Sequence, residues 1–181
     1  DAQTGRTGFR TLLETGSKTG QGHPDQWLAI FAQGDLPPET TIQLGEQQFT
    51  MADWIRQVEW DVPRNPIREY SWTLIGLTRY RPTTHQWGAS DGETWSIERL
   101  LQIELDQELA GSACGGSHRL IGTAMALNRH LSDGHELSGV WQAADERIQA
   151  AIETARQFQN PNGSVSTNYF SRPGMTSDVA Q

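Results

Sequence analysis

Apolar positions divide the chain into two kinds of segment. Residues 24–33, 67–80 and 118–131 are apolar on nearly every side of a helical wheel. Residues 51–61, 97–109 and 140–158 instead carry one apolar stripe: Trp54, Ile55 and Val58; Ile97, Leu100, Leu101, Leu105 and Leu109; Val140, Ala144, Ile148, Ala151, Ile152 and Ala155. A helix apolar all round is buried on all sides, whereas a single stripe covers a core. The strict alternation of the two kinds predicts inner helices, each followed by an outer one. Between them, residues 42–49 alternate around Gly45, and residues 86–95 turn at Asp91-Gly92, which predicts two short hairpins. A short helix is expected over 7–15 from Phe9, Leu12 and Leu13.

The boundaries have their own chemistry. Pro24 suits the first turn of a helix, where a missing N–H costs nothing. Gly34 and Pro37-Pro38 end that helix and force an extended link. Thr50-Met51-Ala52-Asp53 has the form of a capping box with Asp in place of Glu, and Ser96 is an N-cap for 97–109. Asn160-Pro161-Asn162-Gly163 breaks the last helix. The organisation read from this is a leading segment 1–22, a helical domain 23–170 and a polar tail 171–181.

The segments also recur. Leu74-Ile75-Gly76 returns 46 residues later as Leu120-Ile121-Gly122, and Leu28-Ala29-Ile30 stands 46 residues earlier. Gln57-Val58-Glu59-Trp60 resembles Gln102-Ile103-Glu104-Leu105, and Trp95 is followed 46 residues on by Trp141. A fixed period in this range marks a repeat architecture.

Composition narrows the class of partner. With 181 residues the chain can bury a core of its own, and a net charge of −8 without a basic stripe argues against nucleic acid and anionic membrane surfaces. The one cysteine excludes an internal disulfide framework. No apolar run approaches the ~20 residues that cross a bilayer. Lys18 is the one lysine, a feature of composition more than of function. The start at Asp1 reads as a trimmed or processed form.

Inner and outer helix pairs at this period resemble the α/α toroid, the superfold of terpenoid cyclases, protein prenyltransferases and several carbohydrate-active enzyme families. Gln159-Asn160-Pro161-Asn162-Gly163-Ser164 is similar to the Gln-x-x-Asp-Gly-Ser motif of the cyclase repeats, with Asn162 where Asp is usual and no aromatic after Ser164. Gly22-His23-Pro24-Asp25-Gln26-Trp27 resembles the Gly-His-x-x-Glu-Trp stretch of N-acylglucosamine 2-epimerase-like barrels, with Gln26 replacing Glu. The chain has no Asp-x-Asp-Asp motif, so terpene chemistry is not implied. The resemblance implies an all-α fold, an incomplete α/α toroid with short β-hairpin insertions. A closed ring of five to seven pairs would take roughly 230–320 residues. The arc is therefore expected to expose an apolar edge, covered by self-association or by further repeats.

In a toroid the loops entering the inner helices surround one mouth. Here they are 16–25, 63–70, 110–118 and 160–167, and they carry His23, Arg68, Glu69, Tyr70, Cys114, His118, Arg119 and Asn162. Helix N-termini there favour an anion or a developing negative charge. His118 and His23 are the candidate acid/base pair. Arg68, Tyr70, Arg119 and the loop residue Trp87 are candidate ligand contacts. The stretch Cys114-Gly-Gly-Ser-His118 has several readings: a tightly packed glycine loop with a buried cysteine, a thiolate nucleophile beside His118, or, if a metal is present, a site of Cys114, His118 and His23 suited to zinc. His130 and His135 stand at a helix C-terminus, where they cap carbonyls. Three or four of the seven tryptophans fall on core stripes, so core packing is the reading for most. Two functions follow as expectations: a helical module binding a small or carbohydrate ligand at its mouth, and a toroid-type enzyme using His23 and His118.

Overall fold

The computed structural model describes residues 8–165 apart from residues 17 and 110, and within them it has six α-helices and two separate two-stranded antiparallel sheets. In chain order these are α1 (Gln26–Gln33), β1 (Thr41–Leu44), β2 (Gln47–Thr50), α2 (Met51–Asp61), α3 (Tyr70–Tyr80), β3 (Gln86–Gly88), β4 (Thr94–Ser96), α4 (Ile97–Leu105), α5 (Ser117–Ser132) and α6 (Val140–Phe158). Single 3₁₀ turns at Val62–Arg64 and Ile67–Glu69 lead into α3, and one at Ala113–Gly116 leads into α5.

Local sequence explains most starts and stops. The Thr50 hydroxyl accepts from the Asp53 N–H and the Asp53 carboxylate accepts from the Thr50 N–H, a complete capping box at α2. Ser96 Oγ accepts from the Arg99 N–H at α4. Asp25 is left-handed, φ 59°, so α1 begins one residue beyond it instead of at Pro24. α4 stops at Leu105, four residues short of the expected 109. The Arg147 guanidinium on α6 donates to the carbonyls of Leu105 and Gln107, so the chain end of α4 is satisfied without another turn.

The helix expected over 7–15 is not present in residues 8–15. Backbone bonds from Glu14 to Gln21 and from Gln21 to Leu12 fold that stretch back on itself, with Leu13 bridging Gln21. Phe9 serves as its anchor, packed on Phe49 and Trp54 at ring distances of 5.3 and 5.1 Å. Residue 7, the end of the proposed 23–170 domain and the tail 171–181 lie outside the described residues.

The helices form two layers. α3 packs on α1 at one side and on α5 at the other. All three run parallel. Their N-terminal ends meet through His23–Glu69 and Trp72–His118, and their C-terminal ends through Asp35–Arg79 and Thr83–His130. α4 lies across α3 and α5, and α6 across α4 and α5. α4 runs the opposite way, since its C-terminal Glu104 reaches Ser71 and Arg119 at the N-terminal ends of α3 and α5. α3 is buried along nearly its whole length, whereas α1 exposes Ile30 and Phe31, and α5 exposes Ile121 and Leu131. No helix of the described residues is long and apolar enough to cross a membrane.

One ion pair sits at the joint of the two layers. The Glu104 side chain is 0% and that of Arg119 3% exposed, with Oε1 and Nη1 2.8 Å apart. The Ser71 hydroxyl donates to Glu104 Oε2, and Arg119 also donates to the Glu104 carbonyl and to Ser112 Oγ. Oε1 receives the guanidinium charge without an aligned hydrogen bond. Burial pushes the Glu104 carboxyl above the ordinary glutamate range, while Ser71 and Arg119 pull it back. Removing one partner of such a pair strands a buried charge. Arg119→Met is therefore expected to lose about 3–5 kcal/mol at pH 7, less at pH 4 where the carboxyl is protonated, and to recover much of the loss in the Glu104→Leu/Arg119→Met double variant. Urea unfolding of the three proteins at both pH values measures this.

Candidate functional site

Three helix N-termini bring their side chains together. His23 comes from the loop before α1, Glu69 and Trp72 from the start of α3, and His118 from the first turn of α5. His23 Nδ1 lies 2.7 Å from Glu69 Oε2. Trp72 and His118 rings are 4.4 Å apart between centroids, and His23 stands 6.1 Å from each of them. His23 and Glu69 keep 30% and 26% of their side-chain surface exposed, so the cluster is open to solvent. Beside it is a shallow cleft of about 10 Å³, lined by Arg68, Glu69, Trp72, Ser112 and His118 among others.

A carboxylate at Nδ1 holds that nitrogen in its N–H form, so in the neutral ring Nε2 is the acceptor. The His118 imidazole titrates below the ordinary histidine range: burial disfavours its charged form, the charge of His23 adds to this, and Glu69 opposes it. The arrangement thus offers an oriented imidazole acceptor, a second imidazole kept neutral, a carboxylate and an indole face. That set can hydrogen-bond and stack a polar ligand or move a proton.

The other sequence candidates fall elsewhere. Tyr70 is 5% exposed and packs on Trp95, 5.6 Å between rings, so it belongs to the core. Trp87, expected in an open groove, is in β3 and buried; its indole donates to the Glu59 carbonyl and its ring stacks on His85. The short β3–β4 pairing turns that ring inward. Arg119 lines the cleft, but its guanidinium is committed to Glu104 and Ser112. Arg68 is exposed at the cleft rim. Asn162 spends its Oδ1 on the N–H and hydroxyl of Ser164 in its own turn, and Gln26 accepts from the Gly22 N–H.

Cys114 is exposed, which corrects the buried-cysteine reading. It has φ 52° and is followed by Gly115 and Gly116, also at positive φ, in a turn so tight that a Cβ on Gly116 would lie 2.8 Å from the Leu109 carbonyl oxygen. That left-handed turn carries the thiol outward. Among the described residues, no group of three or more His, Cys, Asp or Glu could hold a metal, so Cys114, His118 and His23 do not form the ligand set considered for zinc. His130 is buried: its Nε2 donates to the Glu136 carbonyl, its Nδ1 bonds the Thr83 hydroxyl, and its ring stacks on Trp141 at 3.9 Å. His135 packs on His130, 4.8 Å between rings.

A second polar group at this end of the helices has no counterpart among the sequence candidates. Asp25 Oδ2 accepts from Thr73 Oγ1 and from Asn65 Nδ2. Asp25 borders a larger cavity, about 210 Å³, between residues 9–13 and α2 that also takes in Asn65. Burial raises its carboxyl from 3.8 to about 6, against the two hydrogen bonds and with a small push from Asp61. No protein family, curated protein or solved structure matches the chain.

Two titration outcomes follow. His118 should titrate below the ordinary value of about 6.5, and His23→Gln should move it upward without restoring it fully, read from imidazole NMR shifts against pH. A depressed folded-state value means that the stabilisation from His118 is present above the unfolded value and lost as pH falls below it. Asp25 has the opposite sign: its contribution is complete below 3.8 and lost as pH rises through about 6. Asp25→Asn keeps the acceptor for Thr73 and Asn65 and, like Asp, tolerates the left-handed backbone. It should be more stable than the parent at pH 8 and lose that advantage at pH 4 in denaturant unfolding.

Proposed function

We propose that the chain is a helical-repeat module of the α/α toroid kind that binds a small, hydroxyl-rich ligand of the carbohydrate class at the mouth between His23, Trp72 and His118. What supports this most is the convergence of an oriented imidazole, a neutral imidazole and an indole from three successive parallel helices. An aromatic face beside neutral hydrogen-bonding groups is the chemistry that suits a sugar ring. The 46-residue spacing of His23 from Glu69 is in keeping with the repeat reading, and two layers with parallel inner helices are the local arrangement a toroid needs.

A second reading is favoured by one contact. The His23–Glu69 pair has the form of a general base held by a carboxylate, with His118 within reach as the partner acid or as a neutral donor. On that reading the module is an enzyme domain acting on the same class of ligand. Zinc has no support as a cofactor, since Cys114 does not join the two histidines.

Titrating neutral mono- and disaccharides while recording the ¹H–¹⁵N signals of the Trp72 indole and the two imidazoles tests the binding reading. Saturable shifts are expected in the parent protein, and they should vanish in His118→Gln while its unfolding midpoint stays within a few degrees. No saccharide response, or a response unchanged in His118→Gln, would sink it. Turnover that requires both His23 and Glu69 would select the enzymatic form.

A further inference from the structure

α1, α3 and α5 are joined by one interface used twice in the same register. Gly76 of α3 rests on α1, where a Cβ on it would lie 3.1 Å from Leu28 Cγ and 3.5 Å from the Ala29 nitrogen. Gly122 of α5 rests on α3, where a Cβ would lie 3.6 Å from Leu74 Cδ2 and 3.5 Å from Ile75 Cγ1. Gly122, Leu74 and Ile75 stand 46 residues after Gly76, Leu28 and Ala29 respectively. Each joint therefore sets a glycine of the later helix against a receiving pair of the earlier one. A third receiving position one turn on is Ala32 on α1 and Thr78 on α3.

The receiving positions are sealed wherever a following helix covers them. Leu28, Ala29 and Ala32 are 0% exposed, and Leu74, Ile75 and Thr78 are 0%, 1% and 2% exposed. The corresponding positions on α5 are Leu120, Ile121 and Ala124. Ile121 is 44% exposed, and Leu120 and Ala124 are each partly exposed. α6 packs on α4 and α5, and Ile121 stays exposed. The established interface thus continues onto α5 with its receiving half built and unfilled.

The opposite edge of the array does not supply the missing half. The position on α1 that corresponds to Gly76 and Gly122 is Ile30, 50% exposed. A branched side chain there holds a second copy's α1 away from α5 by more than the close approach seen at either glycine. We propose that the row Leu120, Ile121 and Ala124 is a docking slot for a fourth helix from a partner segment, running parallel to α5, apolar on the contacting side and carrying glycine at the crossing point. This rests on the packing of α1, α3 and α5 and is independent of what the mouth binds.

The test uses the whole protein and a fluorescent peptide of residues 117–132, which presents Gly122 in its native helix. A hydrocarbon staple on the side away from Gly122 keeps it helical, as verified by circular dichroism. The peptide should bind saturably. Gly122→Leu in the peptide, or Ile121→Asp in the protein, should each weaken binding at least about tenfold. Ala124→Asp serves as a second protein variant, and unfolding curves establish that both variants fold. A helical peptide that does not bind, or that binds equally well with Gly122→Leu, overturns the slot. Sedimentation of the protein alone supplies the other decisive outcome: self-association abolished by Ile121→Asp would make a second copy the occupant and overturn the proposal of a glycine-bearing partner helix.

Discussion

The buried Glu104–Arg119 pair sets the position of everything at the mouth. It ties the end of α4 to the starts of α3 and α5, with Ser71 closing the third side. Successive residues on a helix point about 100° apart. Trp72 follows Ser71 and His118 precedes Arg119, so holding Ser71 and Arg119 toward α4 on parallel helices turns these neighbours in opposite senses, toward each other, and their rings meet. An ion pair buried this deeply contributes little net stability over a well-packed apolar pair of the same size. What it supplies here is registration: it fails unless all three helices sit at one height. The cost of burying it and the placement of the candidate site are two aspects of one constraint.

The fold was legible where periodicity and capping chemistry agreed. The alternation of apolar and striped segments located all six helices, and Thr50, Ser96 and the Gly45 turn marked starts and hairpins that the structure contains. Residues 8–15 misled because Phe9, Leu12 and Leu13 recur at helical spacing, while the backbone of Leu12 and Glu14 found its partner in Gln21. The end of α4 misled because its capping group, Arg147, comes from 42 residues away in sequence from Leu105. Long-range satisfaction of a carbonyl leaves no trace in the local pattern.

The site was half legible. His23 and His118 could be named because they open helices that shared a phase, and the phase also pointed to Glu69, 46 residues from His23. The buried glutamates were within reach by the same route. Gln57-Val58-Glu59 and Gln102-Ile103-Glu104 were seen to match, and both glutamates are buried against an arginine, Glu59 against Arg81 and Glu104 against Arg119. A charged residue on an apolar stripe, repeated in phase, is the signal of a structural ion pair. Trp87 and Tyr70 were misplaced for the converse reason, since loop position and proximity to a helix start do not fix which way a ring turns.

The three parallel helices direct their positive ends at one mouth, which by itself favours an anion. The structure counters this with carboxylates. Asp25 precedes α1, Glu69 precedes α3, and Glu104 lies against the start of α5 through Arg119. Each is hydrogen-bonded within the protein, and burial holds Asp25 and Glu104 partly toward their neutral forms. An anionic ligand would have to approach Glu69, which already occupies the positive end nearest the His23 and His118 rings. A cation would meet the same helix ends and a His118 that burial keeps neutral. A neutral polyhydroxyl ligand, as proposed, would meet neither objection, because it adds no charge to the site. The charge balance at these helix starts is thus the ground on which the proposed carbohydrate class is preferred to the anion that the helix termini alone would suggest.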